Sequence, residues 1–106
     1  MIELRYYLAG DGRSPFEEWF SGLDMTSAAK VSIALIRLEQ GNLGSLKPVG
    51  DGVHECRLDW GPGYRVYLGQ YGAALVILLT GGTKRRQPRE IERAKALWAD
   101  YRSRRR

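Results

Sequence analysis

The sequence predicts one α+β domain of 106 residues. Three observations carry this. Segments with strand-like and helix-like apolar spacing follow in the order strand, helix, helix, strand, strand, strand, helix. The joins within the strand run are short, so those strands are antiparallel neighbours. Apolar residues are 43% of the chain and charged residues 27%, an ordinary globular composition that can bury one core but not two. The expected architecture is a small antiparallel meander backed by a helical pair.

Residues 2–8 (Ile-Glu-Leu-Arg-Tyr-Tyr-Leu) read as the first strand, which Gly10, Asp11 and Gly12 break. Ser14 suits a helix N-cap, Pro15 the first helical position, and Glu17 completes a capping box. Phe16, Trp19, Phe20 and Leu23 then recur at helical spacing, so this short helix buries an aromatic face. A second helix over about 25–40 carries two apolar stripes. One is Ala28, Val31, Leu35 and Leu38; the other is Met25, Ala29, Ile33 and Ile36. Burial of both in the core is the expectation, with a partner surface as the alternative. The segment 41–52 holds four glycines, Pro48 and Lys47, and reads as a loop.

Three strands follow, over about 53–60, 64–71 and 73–80, the first two joined by the tight turn Gly61-Pro62-Gly63. Alternation sets His54, Cys56, Leu58 and Trp60 on one face and Val53, Glu55, Arg57 and Asp59 on the other. If Trp60 pairs with Tyr64, Arg57 lies opposite Tyr67 and Asp59 opposite Arg65, four side chains on one exposed face. A one-residue slip would separate them. The strand 73–80 is apolar throughout and should be central, covered on both faces. Gly81 and Gly82 open a loop through Gln87. Pro88 starts a last helix with Ile91, Ala94, Trp98 and Tyr101 as its core stripe. The Arg-rich end, 102–106, is expected to fray.

Several function classes drop out. The longest apolar run, Ala73 to Leu79, is too short to cross a bilayer, so no membrane partner is expected. The N-terminus has no charged-then-apolar signal organisation, so the expected location is the cytoplasm. One cysteine, Cys56, allows no internal disulfide and no cysteine-based zinc site. One histidine and no clustered carboxylates leave no metal ligand set, and no phosphate or dinucleotide loop is present, so no cofactor is expected. His54 falls on the apolar face and reads as a packed or edge histidine.

Charge is divided unevenly along the chain. Residues 1–56 carry five basic side chains against eight acids, and residues 57–106 carry twelve against four. A basic half of this kind points to a polyanionic partner, or to a solvated basic helix. The basic and aromatic set comprises Lys47 in the glycine loop, Arg57, Arg65 and Tyr67 on one sheet face, and Lys84, Arg85, Arg86 and Gln87 after the central strand. Lysine and arginine neutralise phosphates, and tyrosine stacks on an unstacked base. The same groups suit metal-independent RNA cleavage, in which a ribose 2′-OH attacks the adjacent phosphate. That reaction needs a base, cations on the phosphoryl oxygens and an acid for the leaving oxygen. Phosphate binding alone, and an Arg65–Asp59 salt bridge with Tyr67 as a surface aromatic, are the other readings the residues allow.

Several stretches resemble the RelE/ParE superfamily of bacterial toxins, and within it the HigB-like addiction-module killer proteins. They are Phe16-Glu17-Glu18-Trp19-Phe20, Glu39 to Gly44, Lys47 to Val53, Glu55-Cys56-Arg57-Leu58, Gly61 to Tyr67, and Leu78 to Lys84 with Gln87 and Ile91. The resemblance spans nearly the whole chain. It implies a RelE-like compact domain, with a small antiparallel sheet and two N-terminal helices on one face. It implies the toxin of a type II toxin–antitoxin pair, an endoribonuclease that cuts translated mRNA on the ribosome. It implies a cognate helix-turn-helix antitoxin that blocks the toxin and represses the operon. By position, Arg57, Arg65, Tyr67 and Lys84 would be catalytic, and Lys47, Arg85, Arg86 and Gln87 would hold RNA. Arg65→Ala should then cost roughly 10²-fold or more in activity with little loss of fold. The ParE side of the superfamily implies the alternative of a non-enzymatic DNA gyrase inhibitor, and an RNA-binding domain without cleavage is a third reading. The loop expected as Gly-Gly-Asp-Lys-Ser-Thr-Gln is here Gly82-Thr83-Lys84-Arg85-Arg86-Gln87, losing an acid and gaining two arginines. Glu90 stands where aspartate is common. The C-terminal His or Tyr that some relatives use for catalysis is not evident, since Tyr101 fits the core stripe.

Overall fold

The two N-terminal helices start where side chains take over orphaned backbone donors. Ser14 Oγ accepts from the Glu17 backbone N–H at 3.0 Å ahead of helix α1 (Pro15–Ser21). Asp24 accepts from the Ser27 N–H at 3.3 Å ahead of α2 (Met25–Glu39). The computed structural model describes residues 1–104. Its other elements are β1 (Glu3–Tyr6), β2 (Leu46–Gly50), β3 (Val53–Arg57), β4 (Tyr64–Gln70), β5 (Leu75–Thr83), a 3-10 turn (Lys84–Arg86) and α3 (Gln87–Arg104). The fold is α+β, as the element order predicted.

The five strands form one sheet in the order β1-β5-β4-β3-β2. It is mixed rather than antiparallel throughout, because β1 runs parallel to β5. The chain leaves β1 through both helices, enters the sheet at its far edge and meanders back until β5 lies beside β1. The far edge is β2, in the segment expected as a loop. It pairs antiparallel with β3 through Leu46↔Cys56, Lys47↔Glu55 and Pro48↔His54. An edge strand tolerates Pro48, whose missing N–H would break a central ladder.

The β3–β4 hairpin keeps the predicted faces but not the predicted partners. Arg57 pairs with Arg65 and Glu55 with Tyr67, two residues from the expected register. The cause is the connection. β3 ends at Arg57, and 58–63 form a longer loop closed by Leu58 N–H to Tyr64 O (2.9 Å) and Gly63 N–H to Trp60 O (3.2 Å). An even shift preserves side-chain parity.

β5 runs on to Thr83, so Gly81 and Gly82 belong to a strand rather than opening a loop. Tyr67 pairs with Thr80 while Leu68 pairs with Leu78, so a bulge at Leu79 resets the parity of the strand end. Gly81 then faces Trp19 and Gly82 faces Glu90. A Cβ at Gly81 would lie 2.2 Å from the Trp19 ring, and one at Gly82 would lie 2.7 Å from Glu90 Cγ. These glycines allow close approach, not a turn. Gly81→Ala is expected to cost about 1–3 kcal/mol by overpacking, read as a lowered thermal midpoint.

Both faces of the sheet are covered. α1 and α2 pack Phe16, Val31 and Leu38 on Val66, Leu68, Val76 and Leu78. α3 packs Ala94, Trp98 and Tyr101 on Val53, Tyr67, Ile77 and Leu79. The second stripe of α2 is not buried: Met25, Ile33 and Ile36 are exposed. The sheet covers one side of this helix, and no other element of the described chain lies beyond it.

The C-terminal end is held rather than frayed over 102–104, which are helical. Arg104 pairs with Asp100 (2.8 Å), donates to the Leu8 carbonyl and lies over the Tyr7 ring. Arg105 and Arg106 lie outside the described residues. The Tyr7 hydroxyl donates to Asp100 and, with the Arg104 charge, holds that carboxyl below its usual pKa. The folded state thus favours the Asp100 carboxylate. Its contribution is complete above the ordinary aspartate value of about 3.9 and is lost as pH falls through the lowered one. Asp100→Asn is expected to flatten acid unfolding below the ordinary aspartate pKa of about 3.9, followed by circular dichroism. Among the described residues, no helix is long and apolar enough to cross a membrane.

Candidate functional site

The α3-facing side of the hairpin carries charge into the protein. Glu55 is fully buried at 0% exposure, and its carboxylate takes three partners. Arg57 Nε donates to Oε1 at 3.0 Å, Gln87 Nε2 donates to Oε2 at 2.7 Å, and Arg65 Nε lies 3.5 Å from Oε2. Arg65 is itself buried, and its Nη1 donates to the Gly63 carbonyl at 3.3 Å. Its salt bridge is therefore to Glu55, not to Asp59. A buried carboxylate is tolerable only when such partners replace water.

This network fixes an open cleft of about 440 Å³ beside the 58–63 loop. Arg57, Asp59, Trp60, Arg65 and Lys84 line it, with Gly61, Pro62 and Gly63 as its rim. The Lys84 backbone N–H donates to the Gly63 carbonyl at 2.9 Å. Gly63 has φ +76°, and a Cβ there would sit 3.2 Å from Lys84 Cβ, so glycine lets the lysine segment close on the loop. Arg57 spends its Nε on Glu55, and its side chain is 42% exposed. The two terminal nitrogens therefore remain for an anion.

Of the residues singled out from the sequence, Arg57, Arg65 and Lys84 come together here. The others do not. Tyr67 is fully buried under α3, not on an exposed face, and burial and the Glu55 carboxylate raise its phenol pKa far above the ordinary value. Gln87 is engaged with Glu55. Lys47 is exposed on the edge strand, two strands across from Tyr67 through Glu55, and is not part of the cleft wall. Arg85 and Arg86 line a separate depression with Pro88 and Arg89. Sequence reasoning missed Glu55 as the hub of the site. The signal was present: alternation sets it on the same face as Arg57.

No protein-family model matches the chain. A comparison with curated proteins finds 46% identity over 83 residues to an uncharacterized protein of Haemophilus influenzae, covering 77% of this chain and 84% of that protein. The chain belongs to that protein's family. Identity at this level means a shared fold; what the fold does is argued from the cleft.

Chemically, the cleft suits a phosphodiester. Arginine is permanently charged and forks onto two phosphate oxygens, while lysine adds a compact second cation. The two are set by one carboxylate. Glu55 holds Arg57 directly, and through Gln87 it holds the start of α3, next to Lys84.

Proposed function

We propose that this chain is the toxin of a type II toxin–antitoxin pair and a ribosome-dependent endoribonuclease that cuts mRNA in the cytoplasm. The observation that carries the reading is the convergence of Arg57, Arg65 and Lys84 on one open cleft. The HigB-like sequence stretches run through the same elements. In the proposed reaction the ribose 2′-oxygen bonds to phosphorus, the bond from phosphorus to the 5′-oxygen breaks, and a 2′,3′-cyclic phosphate remains. The proton leaves the 2′-OH as the 5′-oxygen gains one. Arg57 and Lys84 stabilise charge growing on the phosphoryl oxygens. Arg65 backs Glu55 and the loop from inside. Tyr67 has no part in this scheme. A helix-turn-helix antitoxin, the ribosome and mRNA are the proposed partners.

The test is mRNA 5′-end mapping by primer extension in a purified translation system, with and without ribosomes. Codon-spaced cuts that need ribosomes are expected. Cuts without ribosomes would make the protein a free ribonuclease. No cuts, with growth arrest and DNA damage on expression, would replace this reading by gyrase inhibition.

A further inference from the structure

The cleft continues past Trp60. A second depression of about 360 Å³ lies between α2 and the 58–60 segment and shares Arg57, Asp59 and Trp60 with the first. Its lining is mixed in a particular way. Ile33, Ala34, Leu38, Cys56 and Leu58 supply apolar surface, and Asp59 one negative charge. Asn42 and Ser45 supply neutral hydrogen-bonding groups. Lys30 and Arg37 supply positive charge. Trp60 is 37% exposed; its ring stacks with Tyr64, centroids 6.2 Å apart, and Lys30 Nζ stands over it at 5.6 Å from the centroid, so a base stacking here takes the place of the Lys30 ammonium and frees that charge for a phosphate.

We infer that this groove is a nucleotide subsite, taking one base of single-stranded RNA next to the phosphate held by Arg57 and Lys84. The base stacks on Trp60, Asn42 and Ser45 bond its edge, and Lys30 and Arg37 neutralise the following phosphate. The aromatic, neutral polar and cationic walls each match one part of a nucleotide. An exposed aromatic ring binds any base by its face. An amide and a hydroxyl read a base edge, whereas cations read only the backbone. The volume lies at the small end of ligand pockets, the scale of one nucleotide rather than a docked helix. Half of the lining is apolar and half is charged or hydrogen-bonding, and the most exposed apolar side chains of α2, Met25 and Ile36, lie outside it. Continuity with the cleft supplies the path of the strand. That path rests on the ribonuclease reading; binding in the groove does not require cleavage.

The experiment uses the full chain and a short fluorescein-labelled single-stranded RNA, followed by anisotropy across a salt series. Trp60→Leu and Ile33→Glu are each expected to weaken binding about tenfold or more. Lys30→Ala is expected to reduce the salt dependence by about one phosphate contact. Asn42→Ala is expected to change the nucleotide preferred at one position flanking the mapped cuts. Circular dichroism checks that each variant is folded. Folded variants that bind and cut like the parent would overturn the subsite and leave the ribonuclease reading standing. Groove-dependent RNA binding by a parent that never cuts would support the subsite and overturn the ribonuclease reading. A groove that binds only a protein partner, with RNA binding unaltered by all four variants, would also overturn the subsite.

Discussion

Replacing Arg57 or Lys84 by alanine is expected to lower ribosome-dependent cleavage by about 10²- to 10³-fold, the cost of removing one preorganised donor from a developing oxyanion. The fold should survive both changes. Lys84 is exposed, so Lys84→Ala is expected to stay within about 1 kcal/mol of the parent, whereas Arg57→Ala takes a hydrogen bond from the buried Glu55 carboxylate and is expected to cost about 1–3 kcal/mol, read beside activity as a lowered thermal midpoint. Glu55 keeps Arg65 and Gln87 when Arg57 is removed. Arg57→Lys separates charge from geometry. A lysine keeps the charge but has no fork and no Nε to bond Glu55, so it is expected to restore little activity. Single-turnover cleavage measures the loss, and unchanged activity in Arg57→Ala would remove Arg57 from the mechanism.

Arg65→Ala is expected to act on the fold first. It leaves the Glu55 carboxylate buried with one of its cations gone. Breaking a buried pair in this way costs about 3–5 kcal/mol. That is a large part of the roughly 5–15 kcal/mol that stabilises a domain. The thermal midpoint is expected to fall by more than about 10 °C. The expectation from sequence, a lost activity with little loss of fold, is thus revised by the burial of Arg65. Glu55→Gln tests the same network from the other side, since it strands Arg65 instead. In a double-mutant cycle, Arg65→Met and Glu55→Gln should be strongly non-additive, the pair costing less than the sum of the singles. Additive losses would mean that the contact at 3.5 Å contributes little.

The sequence announced its elements through local signals. Ser14 and Asp24 mark helix starts, Pro88 marks the last helix, and the stripe of Ala94, Trp98 and Tyr101 marks its buried side. What it withheld was decided at a distance. β2 shows no alternation, because an edge strand with Lys47 and Pro48 exposed is held by its pairing with β3. Tyr67 reads as a surface aromatic until α3 is seen to cover that face of the sheet. Glu55 reads as an ordinary solvated charge until Arg57, Arg65 and Gln87 close on it from three separate segments. The cationic half of the site was therefore readable, as was the placing of Glu55 on the face of Arg57; the burial that makes Glu55 the hub was not. The exposed stripe of Met25, Ile33 and Ile36 fails in the opposite sense, because hydropathy alone does not say which side of a helix meets the sheet.

The parallel pairing of β1 with β5 bears on how the protein comes into being. Glu3 finds its partner in Leu75, and Tyr6 in Leu78. Of the described strands, the one made before the others must therefore wait for the one made after them. The meander from β2 to β5 closes through neighbours and can assemble early, whereas β1 joins only across a long loop, the slow kind of contact. During synthesis the chain stays incomplete at its edge until the segment bearing Arg65 and Lys84 has also emerged. A nascent chain of this design acquires its sheet and its cationic cleft almost together. A prematurely terminated one acquires neither.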